Sequence, residues 1–412
     1  MISRVIEQSK KGRLSAEVQG TVTMVATTGS KTDWTSAADL MQRRAQDSAM
    51  TLAAGFPHWA NAKTGEWTTT PDGDWTGGAF PGILWLAFHR TGDEKLRALA
   101  RDWAVKLRPR AKLETAFKGF GFYYGAALGE MVAADETAGQ VAMDAAESLV
   151  GQFDPALGLI PLGKDAEEHG EIGRAFSSID SLQASPLLFW AGKKTGNRAY
   201  EDAARAHTTR VLDIHCRLDG SIIQSSELDS RSGATLRTFT HKGYSDTSVW
   251  GRAQGWGMLY SVMAFVQRPA ETRWLNQSMA AADWWLANVP ERMVAFWDFN
   301  DPAVPNTDSD TAATAMVCAA MLKLAEVAPT ADDRKRYRDA AERTARALIA
   351  GYLTPTARDD TRLPGMLIGG CFNKRRESRP QDYVTNAELI FGSYFLFESL
   401  QVLGGVIEAT KL

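Results

Sequence analysis

Asp180 is the residue of this sequence that is best suited to proton-transfer chemistry. It stands just ahead of the apolar run 187–191, and Ser185-Pro186 predicts the start of a helix, with Ser as the N-cap and Pro at the first helical position. Apolar and aromatic surroundings disfavour an ionised carboxylate, so we expect a raised pKa for Asp180, as suits a general acid. The alternative is that Asp180 only caps or hydrogen-bonds a loop, as acids near helix starts often do.

A second group of functional side chains falls within about two helical turns. Trp250, Arg252 and Trp256 share this short segment, and Arg252 lies between the two rings. On one face of a helix they would offer flat platforms to sugar rings and a guanidinium fork to a carboxylate. The alternative is that both tryptophans belong to the core and that Arg252 pairs with an acid such as Asp246.

A glycine-rich segment at 73–82 contains Trp75. Its glycines allow a sharp backbone turn that would turn Trp75 toward a pocket, although a plain turn with a packing tryptophan is the alternative. The segment lacks the GxxxxGK[ST] spacing of a phosphate loop. Further along, Asp310 or Thr311 precedes an Ala-rich helix, and we interpret this pair as supplying its N-cap.

Composition places these residues in a soluble globular protein with a large core. The 412 residues are 44% hydrophobic and 23% charged, and the formal net charge is −3. That balance, without a Lys/Arg run, argues against nucleic acid as a partner. No apolar stretch reaches the length of a membrane span, so no membrane association is expected.

The cysteines and histidines indicate neither a disulfide framework nor a metal site. Cys216, Cys318 and Cys371 are far apart and odd in number, and the six histidines show no HxxxH or HExxH spacing. The segment 1–29 lacks the apolar core of a signal peptide. We therefore expect a cytoplasmic protein without metal or cofactor.

The elements that must position these side chains form a loose repeat of about 60–70 residues. Each copy joins an apolar helix, a short turn and an amphipathic helix rich in Ala and Arg. Regular copies occupy 83–107, 187–212, 258–286 and 319–348, and less regular copies start near Tyr123 and Leu389. Each copy predicts one helical hairpin.

About six such hairpins predict an all-α fold, a closed (α/α)6 toroid, with an open solenoid as the rival. Two stretches that alternate with period two, 218–225 and 234–240, predict a short β excursion inside a loop. The copies vary and carry long aromatic-rich loops, which favours one central pocket over a regular stack. Residues 1–34 are interpreted as an N-terminal arm and 35–412 as a single barrel domain.

Together these segments resemble the unsaturated glucuronyl hydrolases and the related unsaturated rhamnogalacturonyl hydrolases. The resemblance extends from about residue 75 to 400. Its anchors are Asp-Trp-Thr-Gly-Gly at 74–78, Ile-Asp at 179–180, Pro-Leu-Leu-Phe-Trp-Ala at 186–191, Gly-Tyr-Ser-Asp at 243–246, Trp-x-Arg-x-Gln-x-Trp at 250–256, Trp-Asp-Phe-Asn-Asp-Pro at 297–302 and the segment 308–313.

The resemblance implies a six-hairpin helical toroid and a reaction without metal or cofactor. The acid at the position of Asp180 would protonate C4 of the C4=C5 double bond in an unsaturated uronic acid and help water attack C5. The hydrated sugar would open and release the rest of the saccharide. Trp75, Trp250, Arg252 and Trp256 would line the sugar pocket.

The chain departs from the family at several pocket positions. Lys118-Gly119 stands where the family has His-Asp, so a second pocket carboxylate is missing, while Gln224 replaces a pocket His and Lys242 a pocket Gln. Losing a neighbouring carboxylate and gaining lysines would lower the pKa of Asp180, unless burial compensates. Alternatively, the lysines bind an anionic group of the substrate.

We therefore predict a glycoside hydrolase that removes an unsaturated uronic acid from the non-reducing end of an oligosaccharide. The catalytic residue is Asp180, and the substrate-binding residues are Trp75, Lys118, Gln224, His241, Lys242, Trp250, Arg252 and Trp256. The alternative, motivated by Gly119, is a saccharide-binding homologue or one that acts on a saturated or substituted sugar. A monomer or weak homodimer is expected.

Overall fold

The computed structural model describes residues 31–52, 55–166, 175–375 and 382–412, with side chains from 34 onward. In chain order its helices are α1 (Lys31–Thr51), α2 (Ala79–Thr91), α3 (Glu94–Lys106), α4 (Lys118–Phe122), α5 (Leu128–Ala133), α6 (Glu136–Val150), α7 (Ala184–Thr195), α8 (Arg198–His215), α9 (Gly251–Gln267), α10 (Thr272–Asn288), α11 (Thr311–Val327), α12 (Ala331–Tyr352) and α13 (Ile390–Leu403). A π-helical turn, Tyr123–Ala127, joins α4 to α5.

Within these residues, six inner helices form a closed ring. The continuous segment made of α4, the π-turn and α5 counts as one of the six. The inner set is α2, α4–α5, α7, α9, α11 and α13, and α13 packs back against α2. Inner helices are buried on all sides: every residue of α13 is buried. Outer helices bury one stripe, as α12 does with Tyr337, Ala341 and Leu348. The predicted (α/α)6 toroid is confirmed, and the open solenoid is wrong.

Two of the inner-to-outer turns follow local rules of helix ends. Gly92 and Gly196 adopt the left-handed conformation that ends α2 and α7. The next residues, Asp93 and Asn197, then cap α3 and α8 by accepting a backbone N–H two residues on. The Thr-Gly-Asp and Thr-Gly-Asn turns seen in the sequence therefore mark both the end of one helix and the start of the next.

Helix α1 supplies the sixth outer element, and it packs against α13 and α2. It begins at Lys31, and Trp34 is buried in the core. The last residues of the predicted 1–34 arm thus belong to the barrel, because the Trp34 ring has apolar surface to bury. Residues 1–30 lie outside the described residues, so the arm itself stays a prediction.

Two small antiparallel sheets sit among the loops. The first has the order β2-β1-β6, with β1 at Phe56–Asn61, β2 at Trp67–Thr70 and β6 at Ala387–Leu389; the second is β3-β4-β5, with β3 at Phe176–Ser178, β4 at Ser225–Leu228 and β5 at Thr235–Phe239. The β excursion is therefore present, but its first strand lies later than predicted.

The predicted strand 218–225 fails because its backbone bonds elsewhere. Gly220 turns the chain with a positive φ, the Ile222 N–H donates to the Gln254 side chain, and the Ile223 N–H donates to the His215 carbonyl. Only at Ser225 does the ladder with β5 start. In the described part of the chain, no helix combines the length and apolarity that a bilayer crossing requires.

Candidate functional site

A cleft opens at the end of the ring where the inner helices begin. Phe117, Gln183 and Trp250 occupy the N-cap positions of α4, α7 and α9. The residues that line the cleft are Trp75, Phe117, Asp180, Gln183, Lys242, Trp250, Arg252 and Trp256. Several helix N-termini therefore converge here, and their positive dipole ends favour an anionic ligand.

The cleft is narrow in this structure. Its cavity volume is about 10 Å³, room for about one water molecule. Ligand pockets usually have about 300–1,000 Å³. A sugar ring therefore requires the rim to move, and the half-buried Trp75 and Lys242 are the lining side chains that reach solvent.

Asp180 lies on a 3₁₀ turn, Ile179–Gln183, that leads directly into α7. The Ser178 hydroxyl caps this turn by accepting the Asp180 N–H, so the expected N-cap role of Ser185 is wrong. Ser185 sits inside α7 and hydrogen-bonds Thr208 instead. The Asp180 side chain is 5% exposed and faces the cleft, so the alternative in which it only caps a loop does not hold.

Gln224 fixes the orientation of the Asp180 carboxylate from behind. Its Nε2 donates to Asp180 Oδ2 over 3.0 Å. Its Oε1 accepts the Thr240 hydroxyl at 2.7 Å and the Lys242 N–H at 3.0 Å, which leaves Nε2 as the end that faces Asp180. Gln224 is fully buried and is not among the residues that line the cleft, and its contact with the site is the hydrogen bond to Asp180.

His241 stands behind Gln224. Its Nδ1 lies 2.7 Å from the Ser225 hydroxyl, and its Nε2 lies 3.3 Å from Gln224 Nε2. It is absent from the residues that line the cleft. In the present geometry His241 therefore supports Gln224 from outside the cleft lining.

Two buried neutral histidines support the turn that carries Asp180. His207 Nδ1 accepts the Ile160 N–H, so its Nε2–H donates to the Ser181 carbonyl at 2.8 Å. His215 Nδ1–H donates to the Ile223 carbonyl, and its Nε2 accepts from Ser177 at 2.9 Å. Burial lowers the pKa of both histidines to about 4.

Arg252 forms another part of the cleft wall, with side-chain exposure of 1%. Its Nη1 donates to Asp310 Oδ2 at 3.1 Å and to the Cys371 carbonyl at 2.6 Å, and its Nη2 donates to the Phe372 carbonyl. The guanidinium also stands 4.5 Å from the centre of the Trp250 ring.

The predicted alternative partner of Arg252, Asp246, is therefore wrong. Asp246 pairs with Arg375 over 3.0 Å near the surface, whereas Asp310 is buried against Arg252. Asp310 also caps α11, as expected, by accepting the Ala312 N–H. Burial raises the pKa of Asp310, and the Arg252 charge opposes that rise.

The three predicted tryptophans do meet at the cleft. Trp256 is stacked on Tyr260 at 5.5 Å with an interplanar angle of 6°, and Trp75 contacts it edge-on at 6.1 Å. Trp250 opens α9 beside Arg252. Trp250 and Trp256 are almost wholly buried and belong to the hydrophobic core, as the alternative expected, although both also line the cleft.

Lys118, predicted to bind substrate, is not among the residues that line the cleft. Its ammonium turns away from the cleft and donates to the Ala111 carbonyl at 3.0 Å, the Leu113 carbonyl at 2.7 Å and the Ser148 hydroxyl at 2.6 Å. Burial lowers the pKa of Lys118 to about 8. The long Lys118 side chain donates to backbone carbonyls that need a hydrogen-bond donor. The positions of these carbonyls depend on the fold and cannot be predicted from the sequence.

Two lining residues escaped the sequence-based interpretation. Phe117 carries no signal beyond its apolar character. Gln183 did carry a signal, namely its spacing of three residues from Asp180. On a 3₁₀ turn, side chains three residues apart eclipse each other and so lie on the same side. In the described residues, no cluster of three or more His, Cys, Asp or Glu side chains could hold a metal ion.

A helical toroid whose cleft sets one carboxylate among tryptophan rings has the arrangement of a glycoside hydrolase. No protein-family model matches the chain. The unsaturated glucuronyl hydrolase of Bacillus sp. strain GL1 is 33% identical over 84% of this chain and 90% of that protein. The chain therefore belongs to the unsaturated glucuronyl hydrolase family.

Two further comparisons agree with this assignment. An unsaturated chondroitin disaccharide hydrolase of Streptococcus pyogenes serotype M1 is 28% identical over 78% of this chain and 81% of that protein. The crystal structure of the Bacillus sp. GL1 unsaturated glucuronyl hydrolase matches with a TM-score of 0.80 and 29% identity, over 90% of this chain and 96% of that one.

Proposed function

We propose that this enzyme releases an unsaturated uronic acid from the non-reducing end of an oligosaccharide by hydrating its C4=C5 double bond. The observation that carries the proposal is the cleft itself, where Asp180 is the sole acid among the described lining residues. Displacement at the anomeric carbon requires two carboxylates that flank the bond, whereas hydration of an alkene can use one.

The proposed reaction uses Asp180 twice. Its protonated form gives a proton to C4, and the positive charge that develops at C5 is shared with the ring oxygen. Water then adds to C5, and its proton passes to the Asp180 carboxylate, which restores the acid. The resulting hemiketal opens to a ketone and releases the remaining saccharide, so that one water is consumed in total.

The charged wall of the cleft suits the carboxylate of such a sugar. Arg252 and Lys242 line the cleft together with the converging helix N-termini. Arg252 donates hydrogen bonds to Asp310 and to two backbone carbonyls, which hold its guanidinium in place. It therefore contributes a positive charge at a fixed position. Lys242, whose ammonium stands 5.1 Å from the centre of the Phe372 ring, is the half-buried rim cation.

The test is Asp180→Asn, which keeps the shape of the side chain and removes the ionisable carboxyl group. We expect hydrolysis of unsaturated disaccharides, followed as loss of the ultraviolet absorbance of the double bond, to fall by about 10²–10⁴-fold. The control is Asp144→Asn, which changes an exposed acid on α6. Retained activity in a folded Asp180→Asn variant would remove Asp180 from this role.

A saccharide-binding protein without turnover is not favoured, since the family is enzymatic and the acid is in place in the cleft. The same assay separates the two, because binding without product from any unsaturated oligosaccharide would support it. A role in glycan breakdown, a cytoplasmic location and a monomer or weak homodimer stay predictions. The three cysteines form no disulfide, which suits a reducing compartment.

A further inference from the structure

Gln183 is a buried polar side chain without a role in the fold. It is 2% exposed, it lines the cleft, and its Oε1 has no hydrogen-bond partner in the part of the chain that the structure describes. A buried carbonyl oxygen without a donor costs about 1–3 kcal/mol. Such a group usually has a functional reason or a water partner.

The local backbone places Gln183 on the same side as Asp180. Both residues belong to the 3₁₀ turn Ile179–Gln183, in which side chains three residues apart eclipse each other. Both also line the same cavity of about 10 Å³. This is enough volume for one water, and a buried water needs two to four polar partners.

Close packing at Gly119 explains why Gln183 must supply the second polar group. A Cβ on Gly119 would lie 2.2 Å from the Gln183 carbonyl oxygen and 2.5 Å from the Ala184 Cα. Both contacts are with backbone atoms, so no side chain fits at residue 119 in this packing. The second carboxylate that the sequence resemblance implies at this position therefore has no room here.

We propose that Gln183 is a positioning residue that holds the attacking water beside Asp180, in place of a second carboxylate. The Gln183 Oε1 accepts one water hydrogen, Asp180 takes the other as the water oxygen bonds to C5, and the lone pair of the water points at that carbon. Because a carboxamide neither gains nor loses a proton as an acid or base near neutral pH, Asp180 remains the one group in this step that gives and takes protons. The inference rests on the proposed hydration reaction.

The experiment compares Gln183→Leu, Gln183→Met and Gln183→Glu with Gln140→Leu, a control on the exposed face of α6. We expect kcat for an unsaturated disaccharide to fall about 10–100-fold in the Leu and Met variants, with KM changed less than about threefold. The reason is that water, unlike the sugar, does not contribute to KM. Circular dichroism and Tm establish that each variant is folded.

Gln183→Glu keeps the acceptor but adds a charge. Two neighbouring carboxylates disfavour each other's ionisation, so we expect most of the kcat to return at an optimum moved to higher pH. Unchanged kcat in both apolar variants would overturn the proposal, and so would a raised KM at constant kcat, which would assign Gln183 to the sugar. A parent enzyme that hydrolyses no unsaturated substrate would instead refute the proposed function.

Discussion

The two walls of the cleft hold a buried carboxylate in opposite ways. On one wall, Asp180 accepts from the neutral carboxamide of Gln224, and the turn beneath it rests on neutral histidines. On the other wall, Asp310 is paired with the Arg252 guanidinium and caps a helix. The Arg252 charge favours the ionised form of Asp310 and opposes the rise in pKa that burial causes.

The comparison teaches that burial alone does not identify the catalytic acid. Asp310 is more deeply buried than Asp180, yet its charge is committed to Arg252 and to the N-terminus of α11. Asp180 faces the cleft and accepts a hydrogen bond from the carboxamide of Gln224. The nature of the partner therefore distinguishes a structural carboxylate from one that can transfer protons.

The largest expected effect comes from removing the charge on the Arg252 wall. Asp310→Asn keeps a good N-cap but leaves Arg252 buried without its counter-charge, which should cost about 3–5 kcal/mol of unfolding free energy. Chemical denaturation followed by circular dichroism measures it. Asp308→Asn, a partly exposed acid paired with Lys374 at 2.8 Å, is the control and should cost less than about 1 kcal/mol. Equal stabilities of the two variants would contradict the comparison.

Acid should weaken the support of the turn that carries Asp180. The pKa values of His207 and His215 are about 4 in the folded protein, below the ordinary 6.5, so the unfolded chain binds more protons. Their contribution to stability is complete above about pH 6.5 and is lost as the pH falls toward 4. Between pH 7 and 5 each should cost up to about 2 kcal/mol.

The measurement is Tm against pH for the parent and for His207→Gln. The variant should be less stable at neutral pH and should lose less stability on acidification, because one titrating group is gone. His89→Gln, at an exposed position on α2, is the control and should keep the parent slope. A parental pH slope in His207→Gln would show that this histidine does not set the acid response.

The smallest expected effect concerns the neutral donor to Asp180. Gln224→Leu removes the hydrogen bond that orients the carboxylate and should lower kcat on the order of 10–100-fold, with little change in KM. Gln224→His can still donate an N–H and should stay within about tenfold of the parent. If the Leu variant keeps the parental kcat, Gln224 is only a packing residue.

Local sequence patterns predicted most of the fold and part of the site. The Thr-Gly-Asp turn at 91–93 marks a helix end and the next helix start, because a left-handed glycine and a capping carboxylate satisfy backbone groups within a few residues. The sheet β2-β1-β6 was missed because β1 pairs with a strand more than 300 residues away, which no short-range pattern encodes.

The sequence by itself determined the alternation of apolar and amphipathic helices, the turns between them and the place of Asp180 ahead of α7. Only the tertiary structure decided that Arg252 pairs with Asp310, that Lys118 turns to distant carbonyls and that Gln183 faces the cleft. Helix periodicity and capping are satisfied within one or two turns of chain. The partner of a long polar side chain is set instead by which elements pack together, since each buried donor must find an acceptor wherever the fold brings one near.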